Sequence, residues 1–223
     1  MARALIVHGG WEGHEPAAVA RVLGGAIESN GVMVTFASEL AALGDAASFD
    51  LVVPLWTMGE VEPSVLASLL AAVETGTGFG GVHGTCDAFR TATDYQFLTG
   101  GQWVAHPGGG DVEYTVRIAD HSHEITQGLD DFVVRSEQYY LHVDPSNHVL
   151  ATTGFPVADG PHAVNGAFDM PVAWTRRYGR GRVFYCSLGH DVRVLTQEPV
   201  LTLCARGLAW AATGSARAGG PTG

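Results

Sequence analysis

The chain has 223 residues, of which 46 % are hydrophobic and 16 % are charged, a composition typical of one sizeable α/β domain and not of a disordered segment. Twelve Lys and Arg against 23 Asp and Glu give a formal net charge of −11, which argues against nucleic acid and anionic membranes as partners. We expect a small, neutral ligand, and the possibility of a homo-oligomer stays open.

The apolar stretches are shorter than the roughly 20 residues that a bilayer-spanning helix needs. The apolar start, MARALIV, has only the length of a strand and lacks a small-residue cleavage site, so we do not interpret it as a signal peptide. Three cysteines without CxxC spacing favour reduced thiols over a disulfide framework. These features predict a cytoplasmic protein.

Predicted strands and helices alternate in the first 100 residues. Apolar runs predict strands at RALIVH, VMVTFAS, FDLVVPLW and TGFGGV. Helical spacing of apolar residues predicts helices at EPAAVARVLGGAIESNG and EPSVLASLLAAVETG, each of which begins with Glu-Pro and ends at Gly. This alternation, with short glycine-rich connections, predicts parallel βαβ units in a doubly wound sheet.

The pattern changes from about residue 110. Strands without helices between them are predicted at DVEYTVRIAD, DFVVRSEQYYLHV, HVLATTG and MPVAWTRRYGRGRVFYCSLG, which indicates an antiparallel extension of the sheet. The segment QEPVLTLCARGLAWAAT predicts a closing helix. We predict a single domain over residues 1–213 and a flexible tail over residues 214–223.

The segment GFGGVHGTCDAFR, residues 78–90, predicts a strand that turns sharply into a segment with helix-forming potential. Such a turn lifts one side chain clear of the sheet edge, and small neighbours permit it. In hydrolases and amidotransferases the lifted residue is Ser or Cys, whereas here it is His83.

Three histidines follow predicted strands directly. In a parallel sheet, ligands bind beyond the carboxyl ends of the strands, and His8, His83 and His190 all lie at such ends. His14, in the loop after the first strand, is placed to reach the same crevice. His106, in QWVAHPGGG, lies in a glycine-rich loop that either folds over a site or forms a plain turn.

The other histidines have weaker positional arguments. His121 and His123 have the i, i+2 spacing that chelates a metal from a strand, but a solvated turn is the favoured interpretation of His121. His148 and His162 carry no positional argument.

The segment RSEQYYLHVDP adds a carboxylate to the candidate site. In a strand, Glu137 and Tyr139 point to one face and His142 to the other. A buried Glu137 is costly without a partner, so it either faces solvent or has a function. Near His83 or His190 it would orient an imidazole or act as an acid/base group, with its pKa raised by burial.

Four segments in order, GVHGTCDAF, GGQWVAHPGG, SEQYYLHVDPSNHVLATT and PVAWTRRYGRGRVFYCSLGH, resemble the signature blocks of the ThuA-like, or trehalose-utilisation, family. The resemblance runs from the first strand to about residue 212. That family is similar in fold to the class I glutamine amidotransferases, so it implies a flavodoxin-like sheet. It places His83 where those enzymes have their nucleophile and His190 near their base. Cys86 lies off this turn, and glutaminase chemistry is therefore not expected.

The resemblance also implies a trehalose-type disaccharide or its keto derivative as ligand, and a nicotinamide-dependent sugar dehydrogenase as pathway partner. The chain lacks a GxGxxG after its first strand, so hydride transfer would belong to that partner. Two positions depart from the family pattern, Ser136-Glu137 and His123-Glu124, and family roles are less secure there.

Our preferred hypothesis is a sugar-directed hydrolase, lyase or isomerase that uses acid/base chemistry. The catalytic candidates are His83, Glu137 and His190. The substrate-binding candidates are His8, His14, His106, Tyr139 and Asp191. Three tryptophans near the loops either stack on a sugar ring or pack in the core: Trp11, Trp56 and Trp103.

Two alternatives stay open. In the first, a divalent metal such as Zn²⁺ is held by imidazoles from His83, His106, His142 and His190, with Glu137 as a ligand or outer partner. In the second, the chain is a non-catalytic sugar-sensing or scaffold module.

Overall fold

The computed structural model describes residues 1–214, which form strands and helices in an alternating and then strand-rich order. The strands are β1 Ala2–His8, β2 Val32–Ala37, β3 Leu51–Leu55, β4 Gly78–Val82, β5 Gly101–Ala105, β6 Val112–Ile118, β7 Phe132–Ser136, β8 Tyr140–Val143, β9 His148–Phe155, β10 Phe168–Tyr178 and β11 Gly181–Cys186. The α-helices are α1 Pro16–Glu28, α2 Pro63–Glu74, α3 Thr93–Thr99, α4 Val192–Leu195 and α5 Glu198–Thr213.

Nine of these strands form one sheet, in the order β2-β1-β3-β4-β11-β10-β9-β6-β7. The first five are parallel, and β10, β9, β6 and β7 continue the sheet in antiparallel pairing. The order 2-1-3-4-5 of the parallel part is that of flavodoxin-like folds. The predicted doubly wound α/β sheet with an antiparallel extension is therefore confirmed.

Helices cover both faces of the parallel part, as its buried strands require. One core cluster joins α1 and α5 to the sheet through residues such as Leu23 and Leu203, and the opposite cluster joins α2 to it through residues such as Leu69. The glycines of β4 let α5 approach closely. A Cβ on Gly78 would lie 2.3 Å from the carbonyl oxygen of Ala211.

One predicted helical segment is shorter than expected, and one predicted strand is divided. The turn at His83 continues into a 3₁₀ segment, His83–Cys86, and α3 begins only at Thr93. The segment DFVVRSEQYYLHV forms two strands, β7 in the main sheet and β8 in a two-stranded sheet with β5. The chain leaves the main sheet at Glu137 and Gln138, where side chains replace strand pairing: the Gln138 amide donates to Thr153 Oγ1 at 2.9 Å, and Tyr114 donates to the Glu137 carbonyl oxygen at 2.9 Å.

The predicted flexible tail at residues 214–223 lies outside the described residues except for Gly214, and it stays a prediction, as does the domain boundary at residue 213. The helices within residues 1–214 all fall short of the length and apolarity that crossing a membrane requires.

Candidate active site

Four segments converge beyond the carboxyl ends of the parallel strands. His83 follows β4 directly, and His190 follows β11, which is the parallel neighbour of β4. His14 ends a short 3₁₀ segment, Glu12–His14, after β1. Glu137 follows β7, at the point where the chain leaves the main sheet. Positions far apart in the sequence therefore meet at one edge of the sheet.

His83 occupies a strained and buried position. Its φ of +46° lies in the left-handed region, which non-glycine residues adopt only when their surroundings hold them there. Thr85 fastens the turn, because its hydroxyl donates to the Pro54 carbonyl oxygen at 2.8 Å and accepts from the Val82 amide at 3.0 Å. The Tyr185 hydroxyl donates to the carbonyl oxygen of His83 itself at 2.8 Å.

A backbone carbonyl fixes the protonation of one His83 nitrogen. Nδ1 lies 2.8 Å from the carbonyl oxygen of Ser187, and since a carbonyl oxygen only accepts, Nδ1 carries a proton. Nε2 then faces the site, 2.9 Å from the Tyr139 hydroxyl and 3.2 Å from Glu137 Oε2. The imidazole is thus aimed at the carboxylate by a partner outside the site.

Of the other two imidazoles, His14 has an outer hydrogen-bond partner, whereas Nδ1 of His190 has none within residues 1–214. His14 Nδ1 lies 2.7 Å from the Thr57 hydroxyl, which leaves Nε2 for the site. His190 Nε2 lies 3.6 Å from Glu137 Oε1, and its Nδ1 lies 3.6 Å from Asp191 Oδ2. The ring centroids of the three histidines are 4.6 to 5.2 Å apart.

His14, His83, Glu137 and His190, which we call the four-donor cluster, bring one ligand atom each within 4.8 Å of one another. A tetrahedral ion with ligands at about 2.1 Å holds its donor atoms about 3.4 Å apart. Inward movements of less than about 1 Å per side chain would therefore suffice. Three imidazoles and one carboxylate are a donor set that suits Zn²⁺ and similar divalent ions.

The pKa shifts of His14, His190 and Glu137 favour neutral imidazoles at the first two residues and an ionised carboxylate at the third. Burial, followed by the charges of His83 and His190, lowers the pKa of His14 to about 3. Burial and the charge of His83 also lower the pKa of His190. Burial alone would raise the pKa of Glu137, as expected from the sequence, but the hydrogen bond from His83 and the nearby imidazole charges outweigh it and lower this pKa to about 2. That expectation was wrong, and the carboxylate is ionised.

A crevice of about 230 Å³ opens beside the cluster. His106 lines it, with Nε2 3.8 Å from Glu137 Oε1 and with a buried Nδ1 that has no hydrogen-bond partner within residues 1–214. Trp11, 48 % exposed, packs its ring edge-on to His14 at the same crevice. Asp87, Arg90 and Trp103 line it as well.

The structure brings most of the predicted site residues together. His14, His83, His106, Glu137, Tyr139 and His190 lie at the crevice or in the cluster. Asp191 lies behind His190 and caps α4, since its Oδ1 accepts from the Val194 amide at 2.7 Å.

Two predicted residues lie elsewhere. His142 is exposed on β8, where it pairs with Gln102, because the buried face of this short strand is occupied by Leu141. Of the predicted metal set, His83 and His190 lie in the four-donor cluster, whereas His106 and His142 lie outside it and His14 lies within it. His8 ends β1 and is outside the crevice lining found among residues 1–214.

The three tryptophans were expected either to stack on a sugar ring or to pack in the core, and the structure separates them. Trp56 packs over Gly9 against the core, and one face of Trp103 is covered by the guanidinium of Arg90 at 4.6 Å. Trp11 alone of the three is largely exposed. Cys86 is buried, and burial raises the pKa of its thiol to about 12, so it is no nucleophile.

Sequence reasoning missed Thr57, Asp87, Arg90 and Ser187. Thr57 follows β3 closely, and the strand-end argument applied to the histidines would have found it. Asp87 lies inside the segment GVHGTCDAF but carries no spacing signal of its own. Ser187 contributes a backbone carbonyl, which no side-chain pattern reveals.

Comparison with known proteins identifies the family. A family model described as ThuA, trehalose utilisation, matches residues 3–211. Similar solved structures include a ThuA-like protein from Parabacteroides merdae (21 % identity, 99 % of this chain and 93 % of that chain, TM-score 0.72) and another from Bacteroides uniformis (16 %, 94 % and 91 %, 0.75). A β-galactosidase from Bacillus circulans also matches in fold (12 %, 96 % and 31 %, 0.61). No curated protein sequence matches significantly. Because the family model covers nearly all of the chain, the protein belongs to the ThuA family.

Proposed function

We propose that this chain is an enzyme of carbohydrate metabolism that uses a divalent metal ion, held by the four-donor cluster, to act on a trehalose-type sugar or its keto derivative. The observation that carries the proposal is the convergence of three imidazoles and one carboxylate within 4.8 Å. The family description, trehalose utilisation, supports the carbohydrate part.

The outer partners of the imidazoles support a metal site over a chance cluster. Histidine ligands nearly always engage their second ring nitrogen with a carbonyl, hydroxyl or carboxylate, which fixes the tautomer. Here the Ser187 carbonyl stands in that position for His83 and the Thr57 hydroxyl for His14, while the Asp191 carboxylate lies 3.6 Å from His190 Nδ1, beyond hydrogen-bond distance. The lone pairs of the cluster's nitrogen and oxygen atoms repel one another unless a positive charge lies between them. A single proton bridges only two of these atoms, whereas a metal ion binds all four.

The chain's own residues divide the remaining work. A divalent ion would polarise a carbonyl or hydroxyl oxygen of the sugar. Tyr139, whose hydroxyl lies 2.9 Å from His83 Nε2, would hydrogen-bond a sugar oxygen beside the cluster. His106, whose side chain is 37 % exposed and whose Nδ1 has no partner among residues 1–214, would hold or move a proton at the crevice. Isomerisation, elimination and hydrolysis are all compatible with these roles.

Metal content tests the proposal. Tag-free protein purified without chelator or added metal should hold about one equivalent of a transition metal per chain by elemental mass spectrometry. Glu137→Gln and His83→Asn should each lower this occupancy at least tenfold, because each removes a donor. His142→Asn is the matched control, since this exposed imidazole lies outside the cluster, and it should retain the metal.

A second candidate is metal-free acid/base catalysis by His83 and Glu137, which the 3.2 Å contact between their side chains favours. Turnover of a keto derivative of trehalose separates the two. Loss of turnover on chelation, with recovery on adding metal, supports the metal enzyme. Turnover that survives chelation but is lost in Glu137→Gln supports acid/base catalysis. Absence of turnover in every form contradicts both and favours a non-catalytic module.

A further inference from the structure

One wall of the crevice holds an arginine in a fixed plane. The guanidinium of Arg90 lies over the ring of Trp103, 4.6 Å from its centroid. Its Nε and Nη2 both contact the same oxygen of Asp87, Oδ1, at 2.7 and 2.6 Å. Stacking and pairing together restrict a side chain that is otherwise costly to order.

This arrangement leaves one acceptor and one donor group facing no protein partner. Within residues 1–214, the hydrogen bonds of the pair use Asp87 Oδ1 and two of the three guanidinium nitrogens, and none uses Asp87 Oδ2 or Arg90 Nη1. Both residues line the crevice together with Glu137 and Tyr139. Asp87 is only 7 % exposed there, so its second oxygen lacks the full hydration of a surface carboxylate.

We propose that Asp87 and Arg90 form a recognition subsite for two neighbouring hydroxyl groups of one sugar ring. The inference rests on the proposed function, which supplies the carbohydrate. Each sugar hydroxyl both donates and accepts, so one hydroxyl donates to Asp87 Oδ2 while its neighbour accepts from Arg90 Nη1. The pair offers one carboxylate oxygen and one guanidinium nitrogen side by side, which suits two neighbouring neutral hydroxyl groups.

The size of the crevice sets how much of the sugar is recognised. Its volume of about 230 Å³ lies below the roughly 300–1,000 Å³ of pockets that enclose drug-sized ligands. We therefore expect the crevice to hold one ring of a disaccharide. Specificity therefore rests on the hydroxyl pattern of one ring.

Paired changes in ligand and protein test the subsite. Binding of methyl α-D-glucopyranoside and its 2-deoxy, 3-deoxy and 4-deoxy analogues would be measured by titration calorimetry or saturation-transfer NMR on the protein as purified. Arg90→Lys and Asp87→Asn should weaken binding of the parent glycoside about tenfold or more, since charge-assisted hydrogen bonds are lost. Arg117→Lys, in a surface ion pair with Asp169, is the matched control and should bind normally.

The deoxy analogues show whether Asp87 and Arg90 bind sugar hydroxyl groups directly or only maintain the shape of the crevice. At least one deoxy analogue should bind wild type more weakly than the parent glycoside, and that difference should vanish in Arg90→Lys. The subsite is wrong if the variants bind the parent normally or if every analogue keeps its wild-type penalty in the variants. If wild type binds none of the four glycosides, the carbohydrate part of the proposed function fails together with the subsite.

Discussion

At the scale of single residues, the orientations of two of the three imidazoles, His83 and His14, are set from outside the cluster. The Ser187 carbonyl holds Nδ1 of His83, and the Thr57 hydroxyl holds Nδ1 of His14. Both contacts leave Nε2 facing Glu137 or its neighbours. The site is therefore preorganised: the folding of the chain offsets the repulsion between the ligand atoms that it brings together.

The lowered pKa of His14 predicts a pH-dependent stability of the metal-free protein. Between pH 6.5 and about 3, the unfolded chain binds a proton at His14 that the folded chain does not, so the free energy of unfolding falls as the pH falls. The contribution of Glu137, present above pH 4.5, is lost only as the pH falls from 4.5 to about 2. The imidazoles contribute to the slope between pH 6.5 and 4.5, above the range in which Glu137 contributes.

Urea unfolding of chelator-treated protein at pH 6.5 and pH 5 measures this slope. His14→Gln should flatten it without abolishing it, because His123 and His190 also have lowered pKa values. His142→Gln, which removes an exposed imidazole outside the cluster, is the comparison variant. An equal slope in wild type and His14→Gln would show that His14 is not held neutral by the fold.

At the scale of elements, the turn after β4 packs closely against Thr57 and His14, with little free space between them. A Cβ on Gly84 would lie 2.1 Å from Thr57 Oγ1 and 3.3 Å from His14 Nδ1. Gly84→Ala should thus displace the Thr57 hydroxyl and release His14. We expect metal affinity to fall about 10- to 100-fold, as for other outer partners of ligands. Competition with a chromogenic chelator measures it.

Gly25→Ala is the matched control for that substitution. Gly25 lies inside α1, and a Cβ there would meet nothing within 4 Å. The variant should bind metal normally and gain about 0.5–1 kcal/mol of stability, because alanine is the better helix former. Normal metal affinity in Gly84→Ala would mean that the Thr57 contact does not position His14.

The sequence predicts helices and strands well where local hydrophobic periodicity alone determines them. The alternation of apolar strands and amphipathic helices before residue 100 depends on local periodicity, and the sheet that forms matches it. The segment from β7 to β8 shows where this fails. Its apolar alternation predicts one strand. In the structure, the Gln138 amide donates to Thr153 and Gly154, and these long-range hydrogen bonds determine where the chain leaves the main sheet.

The same distinction holds for the candidate site. Strand-end position identified His83 and His190, since the topology of a parallel sheet fixes where strand ends meet. It failed for His8, which ends β1 but is outside the crevice lining found among residues 1–214. His142 had no strand-end argument, and it is exposed on β8. Backbone partners such as Ser187 and the pairing of Asp87 with Arg90 depend on three-dimensional proximity that no sequence spacing encodes.

At the scale of the whole molecule, the four-donor cluster ties together segments separated by more than 170 residues, from His14 to His190. A ligand bound only by the folded state stabilises it by about 2.7 kcal/mol at a hundredfold excess over its Kd. For a domain of this size, each kcal/mol of added stability raises the Tm by about 2–4 °C. ZnCl₂ at that excess should thus raise the Tm of chelator-treated protein by about 5–11 °C.

Differential scanning fluorimetry measures this shift, with MgCl₂ as the comparison because its preference for oxygen ligands suits the cluster poorly. Glu137→Gln should respond much less to zinc than wild type. An equal response in the two proteins would place the stabilising ion outside the cluster.

The order of strands also bears on how the protein is made. β11, residues 181–186, is the last strand of the described chain to leave the ribosome, yet it lies between β4 and β10 in the middle of the sheet. Until it emerges, the nascent polypeptide holds two unpaired strand edges, which are the surfaces that chaperones and aggregation partners compete for. A polypeptide stopped before residue 181 therefore loses the seam that joins the parallel half to the antiparallel half.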